Sequence, residues 1–163
     1  MLYWCGLRIG ELLALTRVDI DLKNKEVSIT KSYVKLNGTD IITDPKTESS
    51  VRTVSMPDCV VHDVNVYFMR HRKIKENDRV FTFSHMSIDR ALHKCAAKAG
   101  IHDIRLHDLR HSFVSLLINN GFTAYEVGQC VGHSGTYITY RYAHLFNDTK
   151  HRILKKPNEL GRK

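Results

Sequence analysis

Val131-Gly132-His133-Ser134-Gly135-Thr136-Tyr137-Ile138-Thr139-Tyr140-Arg141-Tyr142-Ala143-His144 is the stretch on which the reading of this chain turns. The segment Thr123 to Val131 reads as a helix, and Gly132 ends it. A glycine at a helix end lets the chain turn sharply and aim the next side chain, here His133. Thr136 to Phe146 then reads as a further helix carrying three neighbouring tyrosines, Tyr137, Tyr140 and Tyr142. Upstream, His107-Asp108-Leu109-Arg110-His111 sets His107 and Arg110 three positions apart. On a helix or tight turn that spacing points both side chains the same way. Two further short contexts complete the set: Gly6-Leu7-Arg8-Ile9-Gly10-Glu11-Leu12 and Pro45-Lys46-Thr47.

The remaining segments place these residues on a fold. Arg8 to Thr16 reads as a short helix with Leu12, Leu13 and Leu15 on its apolar face. Glu26 to Val34 alternates apolar and polar, Asn37-Gly38 is a hairpin signal, and Thr39 to Thr43 and Val51 to Met56 read as two more strands. Lys46 falls on the second hairpin of this small sheet. From Asp58 onward the chain reads as helices: Asp58 to His71 with Asp58 as cap, Ser87 to Ala99 closed by Gly100, and Arg110 to Asn119. Val80 to Phe83 reads as a short extended stretch. The expected class is α+β, mainly α-helical with a small N-terminal three-stranded antiparallel sheet.

With 163 residues, 42% of them hydrophobic and 26% charged, the chain is one globular domain. No apolar run approaches the ~20 residues that span a bilayer, and no secretory signal opens the sequence. Cys5, Cys59, Cys95 and Cys130 are widely spaced and read as reduced thiols of a cytoplasmic protein. A net charge of +8 is compatible with a polyanionic partner. His107 and His111 at i and i+4 would suit a metal pair. That stretch lacks a zincin glutamate and a third ligand near in sequence, so no metal is expected.

Together, arginines, histidines, a lysine and a tyrosine make a metal-free phosphoryl-transfer set. A guanidinium fork fits two nonbridging phosphate oxygens and keeps its charge at any working pH. Preorganised donors of this kind are usually the largest catalytic contribution. Arg8 and Arg110 fit that role, although Arg8 also reads as an ordinary helix-end arginine paired with Glu11. An ammonium such as Lys46 near a phosphate can protonate a leaving oxygen. A phenol is a nucleophile once nearby cations lower its pKa of about 10. Composition does not choose among the tyrosines.

These contexts, in this order from Cys5 to Leu145, resemble the catalytic domain of the tyrosine recombinases, the phage-type integrases. The resemblance selects Tyr142 as nucleophile, a surface-facing ring nine positions after His133 and followed by a small residue and a histidine. It implies Arg8, His107, Arg110 and His133 as phosphate-binding groups. Lys46 would be the general acid, with Lys31 and Lys35 as fallbacks. Glu11 and Asp108 would orient Arg8 and the His107–Arg110 turn. It implies cleavage of double-stranded DNA through a 3′-phosphotyrosyl link, without metal, ATP or other cofactor, and then strand exchange in a homotetramer on DNA. The basic tail, Lys150 to Lys163, would pack on a neighbouring protomer. Two other readings remain: a type IB topoisomerase-like enzyme that rejoins the same strand, and an inactive DNA-binding module. Because Met1-Leu2-Tyr3-Trp4-Cys5 reads as the end of a helix, residues 1–163 are expected to be an N-terminally truncated catalytic domain, its preceding helix and DNA-binding domain absent.

Overall fold

In a computed structural model of the chain, residues 1–44 and 50–146 are described. Helix α1 (Ile9–Ala14) follows one helical turn, in which the Cys5 N–H donates to the Met1 carbonyl. A 3-10 turn at Arg17–Asp19 leads into strands β1 (Ile20–Asp21) and β2 (Glu26–Ile29), then β3 (Ser32–Leu36), β4 (Thr39–Thr43) and β5 (Arg52–Ser55). Helices α2 (Asp58–Arg70), α3 (His85–Ala99), α4 (Leu106–Asn119), α5 (Ala124–Val131) and α6 (Gly135–Arg141) follow, with a closing 3-10 turn at Ala143–Phe146. The architecture is α+β, as expected.

The strand allocation differs from the expected one. Strands β1, β2 and β5 form a three-stranded antiparallel sheet, while β3 and β4 form a separate two-stranded sheet among the described residues. The stretch Glu26 to Val34 is therefore two strands. Val27 and Ile29 are buried in the sheet, whereas Val34 is exposed on the separate hairpin. Between them Lys31 reaches across to Asp19, 2.6 Å away, and to the Thr16 hydroxyl at 3.1 Å. This long-range pairing pins the chain where it leaves the sheet, and no local periodicity encodes it.

Helix boundaries follow their caps. The Ser84 hydroxyl accepts from Ser87 N–H, so α3 starts at His85 rather than Ser87. Pro57, not Asp58, is the cap of α2, and the Asp58 carboxylate pairs with Lys25 instead. Asp108 accepts from the Arg105 N–H, which starts α4 at Leu106, four residues before Arg110. Thr123 and Glu126 form a capping box on α5. Gly100 and Gly132 close α3 and α5 in the left-handed region. Helix α6 ends at Arg141 with Tyr142 as its C-cap, shorter than the expected Thr136–Phe146 helix. Val80 to Phe83 joins no strand; the Val80 N–H donates to the Leu15 carbonyl.

Two apolar clusters form the core. One joins the three-stranded sheet and α2, through Val27, Ile29, Val54, Met56, Val60 and Val64. The other joins α4, α5 and α6, through Phe113, Val114, Ile118, Val127, Val131 and Ile138. Half-buried Cys130 packs against both clusters.

Candidate active site

A layer of charged side chains lies where the two apolar clusters meet. Its centre is Glu11, only 4% exposed on the first turn of α1. The Glu11 carboxylate receives Arg52 through both Nη atoms, at 3.1 and 2.8 Å. It also receives the Arg8 backbone N–H at 2.8 Å and Arg8 Nη1 at 2.6 Å. Arg110 Nη1 stands 3.9 Å from it. Burial alone would raise the Glu11 pKa; the bonds from Arg52 and Arg8 outweigh it and hold the carboxyl below its ordinary value. Among the described residues, three guanidinium groups thus share one carboxylate.

The guanidinium groups also bind the turn between α5 and α6. Arg8 Nη2 donates to the Gly132 carbonyl at 3.3 Å, and Arg52 Nε to the Cys130 carbonyl at 3.0 Å. Arg110 is 2% exposed and donates to the carbonyls of Gly6 and Val131. Its Nη2 lies 3.4 Å from His133 Nε2. Gly6 permits this approach: it holds φ +61°, and a Cβ there would meet the Phe113 ring at 2.5 Å. Gly132 at φ +68° redirects the chain after α5, as its place in the sequence suggests.

Arg8, Arg110 and His133 therefore converge from three separate segments. His107 stands on the first turn of α4, exposed, its ring centroid 4.4 Å from that of His111. His111 Nδ1 is hydrogen-bonded to the Tyr142 hydroxyl. The Tyr142 ring is only 7% exposed and belongs to the second apolar cluster, not to the surface as expected. Tyr140, by contrast, is 89% exposed. Asp108 anchors the start of α4 through the Arg105 N–H and side chain, and so sets the helix that carries His107 and Arg110. Arg8 does pair with Glu11, which leaves its role as an anion ligand open, since its side chain remains one-third exposed.

Lys46 lies outside the described residues, as does the tail from Lys150. The fallback Lys31 is committed to Asp19 and Thr16, and Lys35 lies 3.9 Å from Asp40 on the hairpin. Sequence reasoning did not single out Arg52, His111 as a partner of Tyr142, or Arg141. Arg52 carried a readable signal. It shares strand parity with Val54 and Met56, both buried, and an arginine on the inward face of a strand needs a buried partner.

The electrostatics favour an anion. Burial, then Arg110, Arg8 and Arg52, push the His133 imidazole down to about 4. Its Nδ1 is buried and has no hydrogen-bond partner among the described residues. Burial, then Arg110 and Arg8, lower the His107 pKa too. Burial pushes the Arg110 guanidinium down to about 9, still charged at neutral pH. A bound dianion would reverse the effect of these cations on the histidines. Titration of His133 by NMR is expected to show a depressed pKa in chloride buffer and a clear upward shift on adding inorganic phosphate; an unmoved His133 resonance would count against an anion in this seam.

The model of the phage integrase family matches residues 1–149. A relative named as an integrase of prophage phiRv2 in Mycobacterium tuberculosis is 30% identical, over 88% of this chain and 40% of its own length. The ICEBs1 integrase of Bacillus subtilis is 28% identical, over 95% of this chain and 46% of its own length. The chain therefore spans less than half the length of these relatives. Among solved structures, that of the Tn1549 transposon integrase with transposon right end DNA superimposes with a TM-score of 0.82 at 23% identity, covering 95% of this chain and 56% of that one.

Proposed function

Because the chain belongs to the phage integrase family, we propose that it cleaves one strand of double-stranded DNA by attack of Tyr142 on a phosphodiester held by Arg8, His107, Arg110 and His133. The bond from the Tyr142 oxygen to phosphorus forms as the bond to the 5′-oxygen breaks. The product is a 3′-phosphotyrosyl link and a free 5′-hydroxyl. Lys46 supplies the proton that the 5′-oxygen takes. A 5′-hydroxyl from a partner strand then attacks the link, and Tyr142 leaves. The link conserves the phosphodiester energy, so the cycle needs no ATP, and the arginines and histidines hold the phosphate charge in place of a metal ion. Strand exchange between two duplexes takes two cleavages on each, hence four copies of the chain on DNA. The result is site-specific recombination of the kind that integrates or excises a mobile element.

The observation that carries this reading is the convergence of Arg8, Arg110 and His133 on one turn, with the Tyr142 hydroxyl held by His111 on the helix that also carries Arg110. Excess positive charge there is suited to the charge that builds on nonbridging oxygens during attack. Glu11 and Asp108 keep the arginine and histidine scaffold in place rather than moving protons. The test is capture. The chain is incubated with a pool of nicked duplexes of randomised sequence, in which the cleaved end diffuses away and traps the adduct. A protein–DNA adduct that survives detergent is expected; its absence across the pool would contradict the proposal.

A further inference from the structure

We infer that His111 holds the Tyr142 phenol through Nδ1 and takes its proton as the tyrosine oxygen bonds to phosphorus. The inference rests on Tyr142 being the nucleophile proposed above. It starts from a contact between two residues 31 positions apart, on α4 and at the end of α6. The Tyr142 hydroxyl meets two side chains, His111 through Nδ1 and the Arg141 guanidinium. The two rings lie 5.9 Å apart between centroids and are inclined by 52°. His107 stands edge-on to His111, their ring centroids 4.4 Å apart. His111 therefore contacts both His107 and Tyr142.

The surroundings set its protonation state. The charged and titratable groups near the ring are His107, Asp108 and Arg110 on its own helix, and Arg141 and Tyr142 at the end of α6. Burial pushes the imidazole below its ordinary value; His107, Arg141 and Arg110 add to that, and Asp108 opposes. A neutral imidazole has one N–H and one lone pair. Facing the phenol, the lone pair belongs on Nδ1 and the hydrogen on Nε2. That is the form of a base waiting for a proton.

Tyr142 needs one. Burial raises its pKa, against the lowering effect of Arg141 and Arg110. A guanidinium has no acceptor site, so neither arginine can take the proton. In the forward step the O–P bond forms, the P–O5′ bond breaks, and the phenol proton ends on His111 Nδ1. In the reverse step the resulting imidazolium returns that proton to Tyr142 as it leaves. The leaving 5′-oxygen takes its own proton from Lys46.

Two measurements test this. Long-range proton–nitrogen correlation on the histidine-labelled wild-type chain reports the tautomer without any substitution. It is expected to show His111 protonated on Nε2 alone, with an Nδ1 resonance that moves in Tyr142→Phe. An Nδ1-protonated tautomer would overturn the inference. The second uses His111→Gln on the nicked duplex that wild type captures. Glutamine can accept a hydrogen bond but not a proton. Adduct formation at saturating DNA should slow about 10²-fold, in the range of lost general base catalysis, with the half-saturating DNA concentration unchanged. The rate should keep rising with pH where the wild-type rate has levelled. Sulfur in place of the 5′-bridging oxygen, which leaves without a proton, should not restore it, whereas it should restore Lys46→Ala. Wild-type speed, a loss confined to DNA affinity, or rescue by sulfur would each refute the role of His111. A wild-type chain that captures no duplex would contradict the Tyr142 reading itself, and this proposal with it.

Discussion

Tyr142→Phe is expected to abolish covalent capture of DNA while DNA affinity stays within about twofold. Deleting a nucleophile in other enzymes costs on the order of 10⁶ in rate, so the adduct should vanish from any practical assay. The substitution keeps the ring that fills the second apolar cluster, where Tyr142 is 7% exposed. It removes one hydroxyl and leaves His111 Nδ1 without that partner. A lost hydrogen bond of this kind costs about 1 kcal/mol, which leaves the fold intact. Tyr137→Phe and Tyr140→Phe should keep capture, since both rings are exposed and stand outside the His111 contact. Capture by Tyr142→Phe with loss in Tyr140→Phe would move the nucleophile to Tyr140.

Glu11→Ala should have the largest effect on stability. The carboxylate is 4% exposed and neutralises Arg52, whose side chain is 5% exposed. Removing one partner of a buried ion pair leaves an uncompensated charge and costs about 3–5 kcal/mol. For a domain of this size that is a fall in Tm of about 6–20 °C. The loss should exceed that of Asp108→Ala, because Asp108 pairs with an Arg105 side chain that is 81% exposed. The pH dependence has a definite sign. Hydrogen bonds hold the folded Glu11 pKa below its ordinary 4.5. Its contribution is thus complete above the ordinary value and is lost as pH falls through the folded one. His133, pushed down to about 4, adds a loss that begins as pH falls below its ordinary 6.5. Urea midpoints measured from pH 7 to pH 3 should fall steadily in wild type and more gently in Glu11→Gln. Equal acid slopes in the two proteins would contradict the buried pairing.

The same residues show how far the sequence alone carries. Gly132 and His133 were readable because a glycine at a helix end is a local signal, and the left-handed C-cap of α5 follows from it. His107 and Arg110 share α4, which starts at Leu106, earlier than the Arg110 start read from the sequence. The split of Glu26 to Val34 into β2 and β3 was not readable, because it depends on Lys31 meeting Asp19 across the fold. Nor was the burial of Tyr142, which comes from α6 packing against α4 and α5. His111 had a visible place, one turn after His107, but its partner lies 31 positions away. Arg52 could have been found by taking strand parity as seriously at a charged residue as at Val54 and Met56.

The central claim, that Tyr142 is the residue joined to DNA, has a direct measurement. The trapped adduct is trimmed by nuclease, digested with trypsin and analysed by tandem mass spectrometry. Arg141 precedes Tyr142, so trypsin separates residues 142–150 from residues 111–141, which hold Tyr125, Tyr137 and Tyr140. The account predicts the nucleotide mass on the 142–150 peptide, with fragmentation placing it on Tyr142. A nucleotide carried by the 111–141 peptide, or by any serine, would contradict it.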